Sequence, residues 1–513
     1  MGKILPQFTK SIIDDVVSSI TSNTALYYGF AANPVLNTGN TPAVTSDDFT
    51  TTFSNDWQMI FGKKLANTDI LPIINKNQWT ANTVYMNYDN TQDMSNGNFY
   101  VSVQPALSGG SWNIFKCIDN GGNTNPSTQV PDQLQPSSFT KSDGYTWRYI
   151  TTISNFDYNR LATTNYIPIY PNTSIQASAY NYSGIEKVVI TNPGSGYASW
   201  ANGIVQGIQN STLIQIQTNS STSSNFYTQN GIYFYNTGSA TGQLRTVTQY
   251  VSNLSGNFVY LDSAVNTAQI LTNQTQYLIS PKVIFTTDGD QDPIAYTTIN
   301  PTTNSISNVV IIQTGYGISW ANVVIQSNLT FGSGASVYGV VPPAGGHGAN
   351  PANELLVQAV GFSFNFANTE GNTIPQNVTY NKIGLVKVPY TINGTTGKKG
   401  LVPYSGNTFI SIIEANVTPS TTFTVGDTVT GQTTTAVGTV AFSNSTTLYL
   451  TGDKYFGNNE TIVSSNGSQS ATLIINTRGN VYTKDIVPLY VQNINNVNRS
   501  SGRVESFKLI VQI

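Results

Sequence analysis

The chain has 513 residues, a net charge of −3 and only 9% charged residues, against roughly 25% in ordinary soluble domains. The length predicts about three domains, and the missing basic excess argues against a nucleic-acid partner. A single cysteine, Cys117, rules out an intrachain disulfide framework, and nowhere do about 18 apolar residues run together, so no membrane insertion is expected.

Solubility falls to uncharged Asn, Thr, Ser and Gln. Such a surface has little charge to desolvate against a partner, which suits stable assembly. At the start, Pro6, Gln7 and Thr9 interrupt any apolar run of signal-peptide type. Pro6 also stands where a myristoylation motif needs Ser or Thr.

The first predicted element is a helix. Ile12, Ile13, Val16, Val17 and Ile20 recur at spacings of three to four, and Ser11 with Asp14 resembles a capping pair. The stripe suits this protein's own sheet or another subunit equally. A second, shorter helix is predicted around Trp57, Ile60 and Phe61, ending at Gly62 with Lys63 and Lys64 near its C-terminus.

From Pro72 to Ile169 short strands alternate with turns. Residues 98–103 and 112–117 read as strands joined across Ser108-Gly109-Gly110. Phe115 to Ile150 is the clearest stretch. One strand ends on Asn120-Gly121-Gly122 and the next starts on the tight-turn pair Asp143-Gly144. Tyr145, Trp147 and Tyr149 fall at every second position and share one face, with Thr146, Arg148 and Ile150 opposite. An aromatic strand face reads as core, and Cys117 as a small core residue.

From 172 to 343 Thr/Ser/Asn tracts surround brief apolar runs, and a unit repeats. Residues 185–190 lead to Gly194-Ser195-Gly196-Tyr197 and Ser199-Trp200; residues 306–311 lead to Gly315-Tyr316-Gly317 and Ser319-Trp320. Each copy predicts a strand, a Gly-x-Gly turn and an aromatic anchor packed back over the turn. Further on, 423–429 resembles 456–462, so the module 416–476 is also doubled and reads as sandwich-like. At the end, Phe507, Leu509, Val511 and Ile513 alternate with other residues as a strand. The fold class expected is mainly β with a few short helices, multidomain, with a discontinuous main body carrying inserted β modules. The expected pieces are 1–171, 344–415 and 477–513 for the main body and 172–343 and 416–476 for the insertions.

Little in the sequence carries chemistry. His347 is the only histidine and lies among glycines, without a nucleophile at motif spacing, so a structural loop is expected. Asp288, Asp290 and Asp292 alternate like a calcium loop, but Pro293 and Ile299 stand where an EF-hand needs Gly and Glu; a hairpin turn is the better reading. Gly394 to Lys399 has Lys399 in the Ser/Thr place of a phosphate loop, so it reads as a basic turn. No catalytic, cofactor-binding or metal residue is assigned, and no cofactor is expected.

Taken together, several stretches resemble the baseplate wedge subunits of contractile-tailed, T-even-like phages. They are Phe115-Lys116-Cys117-Ile118-Asp119-Asn120, Ser127-Thr128, Asp143 to Tyr149 and Asn165 to Ile169. Ala25-Leu26-Tyr27-Tyr28, then Asp56, Met59, Lys63-Lys64 and Asp69, then Trp79, Tyr85 and Tyr88 occur in matching order. Gly345-Gly346-His347-Gly348 with Pro351 and Glu354-Leu355 is similar to a second signature, and Arg499 to Ile513 to a C-terminal strand. The similarity covers roughly residues 11–170, 342–412 and 480–513. The Gly-Tyr repeats of 172–343 look like insertions in structural proteins of cyanobacterial phages. Asn350 and Gln512 depart from the pattern, standing where carboxylates are common.

The resemblance implies a homodimerising, non-enzymatic virion protein of the tail baseplate. It would contact other wedge proteins and move when sheath contraction is triggered. A receptor- or glycan-binding fibre or spike is the alternative, with Trp200 and Trp320 as aromatic platforms for sugars. A polysaccharide hydrolase is a third reading, and it requires carboxylates converging in one cleft.

Overall fold

Short runs rich in Val, Ile, Phe, Tyr and Thr, broken by Asn and Gly, favour pleated strands over helices. In the computed structural model strand accounts for 48% and helix for 9%, which makes the chain mainly β and multidomain. The structure describes residues 6–513 except 23–25, 40, 47, 49–57, 96, 105–109, 123–124, 198–200, 218–219, 236–241, 329–330, 368–373, 394–398, 453 and 484–485. Contacts divide the chain into two compact units: Met1–Asn75, Asn159–Pro168 and Val357–Ile513 form the first, Lys76–Tyr158 and Ile169–Leu356 the second. The division runs differently from the boundaries expected. The stretch from Phe115 to Ile150 and the His347 loop fall in the second unit together with residues 172–343, whereas the C-terminal strand and residues 416–476 fall in the first.

In the first unit, Tyr27–Ala32 is buried along its whole length between Met59–Lys64 and Val378–Lys387 in a five-stranded sheet. The helix expected around Ile60 and Phe61 is therefore a strand; Trp57 lies outside the described residues. A run this short has no period of its own, and neighbouring strands decide its state. Gly62 permits a close approach, since a Cβ there would lie 2.3 Å from the Phe409 ring. The N-terminal helix spans Pro6–Thr21, so Ser11 sits inside it and does not cap it. Ile13 and Ile20 are buried where this helix meets Ile70–Asn75 and Ala359–Phe366, so the stripe packs on the unit's own sheet. The C-terminal strand, Glu505–Gln512, pairs with Ala359–Phe366 at the sheet edge without a register shift.

The second unit contains the aromatic hairpin. Trp112–Asp119 pairs with Tyr100–Val103 on one side and Thr146–Ile153 on the other. Tyr145, Trp147 and Tyr149 are all buried on one face with Phe115, Cys117 and Phe139. Part of the Ser108–Gly110 connection lies outside the described residues. A four-stranded sheet, Lys282–Thr287, Ile294–Asn300, Ser305–Gln313 and Ala321–Gln326, lies in the same unit.

Each unit also holds a closed six-stranded barrel. The first barrel, in the second unit, uses Asn202–Asn210, Leu213–Ile216, Gly231–Tyr235, Gln243–Asn253, Gly256–Leu261 and Gln276–Ser280, in ring order first-second-fifth-fourth-third-sixth. The second barrel uses Ile413–Thr418, Thr428–Gly431, Val437–Ser443, Thr447–Gly452, Glu460–Ser464 and Ser470–Thr477, in ring order first-fourth-third-second-fifth-sixth. The sandwich expected at 416–476 is thus a barrel, closed by pairing its first and last strands. Closure leaves no open edge.

Shifting every strand by three maps each ring onto itself. Each barrel is therefore a doubled three-strand unit with a pseudo-two-fold topology. In the second barrel the repeat noted in sequence is the pair Val429 and Ile462, both fully buried on adjacent strands, preceded by buried Phe423 and Phe456. Counting the first barrel from its second strand also reproduces the ring of the second barrel. The two barrels share one topology in circularly permuted form.

Both Gly-x-Gly turns have the predicted backbone, with positive φ at Gly194, Gly196, Gly315 and Gly317. The expected aromatic anchor is present in the first copy and replaced by an aliphatic residue in the second. The residue after the second glycine fills that place: Tyr197 and Ile318 are 2% and 3% exposed, whereas Trp320 is 56% exposed. Trp200 lies outside the described residues.

Candidate functional site

The strand pairing that buries the aromatic face also buries two cations on its opposite side. Lys116 and Arg148 are cross-strand partners. Their side chains are 0% and 1% exposed, which apolar surroundings tolerate only when the charges are paired. The loop 345–350 and the short helix Pro351–Glu354 bring the partners of Lys116, and the segment before Val188 brings those of Arg148. Asn350 caps that helix by accepting from Asn353 N, so the departure from a carboxylate keeps a competent cap.

Lys116 Nζ donates to Glu354 Oε1 at 2.8 Å, and His347 Nδ1 lies 2.8 Å from the same oxygen. Gly348 N donates to Glu354 Oε2 at 2.7 Å. The Tyr88 ring caps the ammonium, its centroid 3.3 Å from Nζ. Arg148 donates to Glu186 Oε1 at 2.7 Å and to the Tyr182 carbonyl at 3.0 Å, and Ser138 Oγ donates to Glu186 Oε2 at 2.8 Å. His347 Nε2 stands 4.0 Å from Glu186 Oε2, beyond hydrogen-bond distance.

A carboxylate only accepts, so the hydrogen of a neutral imidazole belongs on Nδ1, facing Glu354. Burial and the adjacent Lys116 ammonium push His347 down to about 4. Burial draws Lys116 down to about 8, which leaves it charged at neutrality. Against the cost of its burial, the Lys116 ammonium and the His347 and Gly348 hydrogen bonds hold the Glu354 carboxyl well below the usual range. At pH 7 the cluster is therefore two cations, two carboxylates and a neutral imidazole.

An oriented Glu–His pair is half of a general-base device. Here Nε2 faces Glu186, and the His347 side chain is 3% exposed. In this conformation the arrangement ties one sheet, one loop and the segment before Val188 into a single body.

His347 makes that body acid-sensitive. Its folded value lies below the unfolded 6.5, so the unfolded chain binds the extra proton between pH 6.5 and about 4. Stability present above pH 6.5 is lost as pH falls through this window, by about 3 kcal/mol at full extent. Glu354 adds a loss of the same sign below its unfolded 4.5. Denaturant titrations against pH should show the slope between 6.5 and 4.5 in wild type and not in His347→Asn, whose amide can still donate to Glu354. An unchanged slope in the variant would exclude His347 as its source.

A second buried pair lies in the first unit. Arg499, 0% exposed, donates to Glu505 and, at 3.2 Å, to the Phe366 carbonyl. Burial raises the Glu505 carboxyl.

The other sequence candidates separate. Cys117 is a buried free thiol whose ionisation burial pushes upward. Asp288 accepts from Ser319 Oγ, Ser319 N and Trp320 N, which hold it down at about 2; Asp290 accepts from Tyr180, and Asp292 from Thr287. Among the described residues no three His, Cys, Asp or Glu side chains form a metal-binding group. Residues 394–398 of the basic turn lie outside the described residues, and Lys399 starts an edge strand. Sequence reasoning passed over Lys116, Arg148 and Glu186. The available signal was a cation on an apolar strand of a chain with so few charges. No family model and no curated protein matches this chain.

Proposed function

We propose that the chain is a structural, non-enzymatic component of a phage tail baseplate wedge. It assembles with a second copy and with neighbouring wedge proteins, and moves when sheath contraction is triggered. The observation that carries this reading is the ordered set of resemblances, of which two distant pieces meet: Lys116 and Arg148 from the first signature, His347 and Glu354 from the second. A buried, charge-compensated clamp supports a subunit that transmits force as a body. The low charge supports a chain that buries much of its surface in an assembly.

Tail particles from the phage encoding this chain provide the test. Mass spectrometry should find the chain in purified tails, and a cryo-EM map should place it in the baseplate. Light scattering on the isolated protein should give a dimer. Tails lacking the chain, with a strictly monomeric protein, would overturn the proposal; a heat-resistant trimer would favour a receptor-binding fibre.

A further inference from the structure

Within the second unit, a cavity of about 220 Å3 opens between the first barrel and the four-stranded sheet. Its polar lining includes Arg245, Thr246, Asp262, Ser280 and Lys282. Its apolar wall is proline and aliphatic side chains together with the ring of Tyr296. Lys282 and Tyr296 are cross-strand partners and share one face. Tyr296 stacks on Tyr233 at 4.5 Å, and Tyr233 on Tyr235 at 5.9 Å, with interplanar angles of 16° and 18°. This ladder joins barrel to sheet and fixes the ring that lines the cavity.

The charges do not cancel. The Arg245 guanidinium is fixed by carbonyls, with Nε and NH2 donating to Ala264 O at 3.0 and 2.7 Å and NH1 to Leu244 O at 2.7 Å. Those acceptors are neutral, so the positive charge stays. Asp262 is the only carboxylate in the lining, and its Oδ1 accepts from Thr246 N at 3.0 Å. The Lys282 side chain makes no hydrogen bond or ion pair among the described residues and feels Asp262 only at longer range. The lining therefore carries one excess positive charge in a chain of net charge −3.

We propose that this cavity binds a carboxylate-bearing sugar unit. Lys282 takes the carboxylate, supported by the field of Arg245. Thr246, Ser280 and Asp262 take hydroxyl groups, and the apolar face of the sugar ring rests against Tyr296. The volume is below the roughly 300–1,000 Å3 of drug-sized sites, which fits one hexose-sized unit. The alternative reading of the sequence put glycan contact at Trp200 and Trp320; this cavity is a separate place. The inference is independent of the wedge reading, since tail composition and sugar affinity are separate measurements.

Isothermal titration and saturation-transfer NMR on the full chain, with D-glucuronate and N-acetylneuraminate as probes, test it. D-glucose and acetate serve as neutral and non-sugar controls. At least one acidic sugar should bind; D-glucose should bind at least about tenfold more weakly, the size expected for losing one charge-assisted hydrogen bond, and acetate, which keeps the carboxylate but lacks the hydroxyl and ring contacts, should also bind more weakly. Lys282→Ala should weaken binding by a similar factor with an unchanged melting curve, and Tyr296→Ala should weaken it also. Silence from both acidic sugars at about 10 mM, well above a 1 mM Kd, would overturn the proposal. So would acetate binding as well as the sugars, or full affinity in Lys282→Ala.

Discussion

Replacing Glu354 by Ala should destabilise the second unit by about 3–5 kcal/mol, the range seen when one partner of a buried ion pair is removed. Glu354 receives Lys116, His347 and Gly348 together. Without it, an ammonium at 0% exposure has only the Tyr88 ring and a neutral imidazole beside it. Lys116 escapes by losing its proton on folding, and this gives the variant a signature. A lysine whose folded value lies far below its unfolded 10.5 gains stability as pH rises from the folded to the unfolded value. Calorimetry at pH 7 and pH 9 should therefore show Glu354→Ala recovering part of its loss at the higher pH. Glu354→Gln keeps an acceptor and should fall between variant and wild type. The double variant Lys116→Met with Glu354→Leu removes both charges and should recover most of the stability, because apolar replacement of a whole buried pair is often neutral or favourable. A loss under about 1 kcal/mol in Glu354→Ala would place the pair among exposed bridges of little worth.

The hairpin from Phe115 to Ile150 was legible because a period of two and a tight turn are local signals. The aromatic face at Tyr145, Trp147 and Tyr149 is where alternation puts it. What depends on distant chain was not legible. Lys116 and Glu354 are 238 residues apart, and nothing in either neighbourhood names the other. Sandwich and barrel strands alternate alike, so closure of the module at 413–477 rests on which strand meets Ile413–Thr418, a non-local choice. The stretch with Trp57, Ile60 and Phe61 read as helix because three apolar residues before Gly62 fit either period; for Ile60 and Phe61 burial between two strands decided it. At the Gly-x-Gly repeats the turn was legible from glycine, but the second anchor was not, since Tyr197 and Ile318 share a place and no chemistry beyond being apolar. The cavity beside Lys282 was invisible for the same reason as the ion cluster: it forms between two modules.

Trp147→Ala should cost the second unit about 3–5 kcal/mol, while Trp147→Phe should cost less than about 1.5 kcal/mol. The indole is 0% exposed, stacked on Tyr145 at 5.7 Å and edge-on to Tyr85 at 5.5 Å. Its Nε1 is buried and makes no hydrogen bond among the described residues. A buried donor left unpaired costs about 1–3 kcal/mol. Phe removes that donor together with part of the ring, so the two changes oppose each other. Ala removes the whole ring and opens a cavity walled by Tyr85, Tyr145 and Phe139, the last held on a neighbouring strand. Trp147 also directs its neighbour: it fixes the face of the strand, and Arg148 on the other face must then meet Glu186. In Trp147→Ala the His347-dependent slope between pH 6.5 and 4.5 should flatten along with the loss of stability, because the clamp is built on the same strand. Melting and pH titration of the two variants check both points. An alanine variant with unchanged melting would mean that this face is not core, and that the aromatic residues serve a partner.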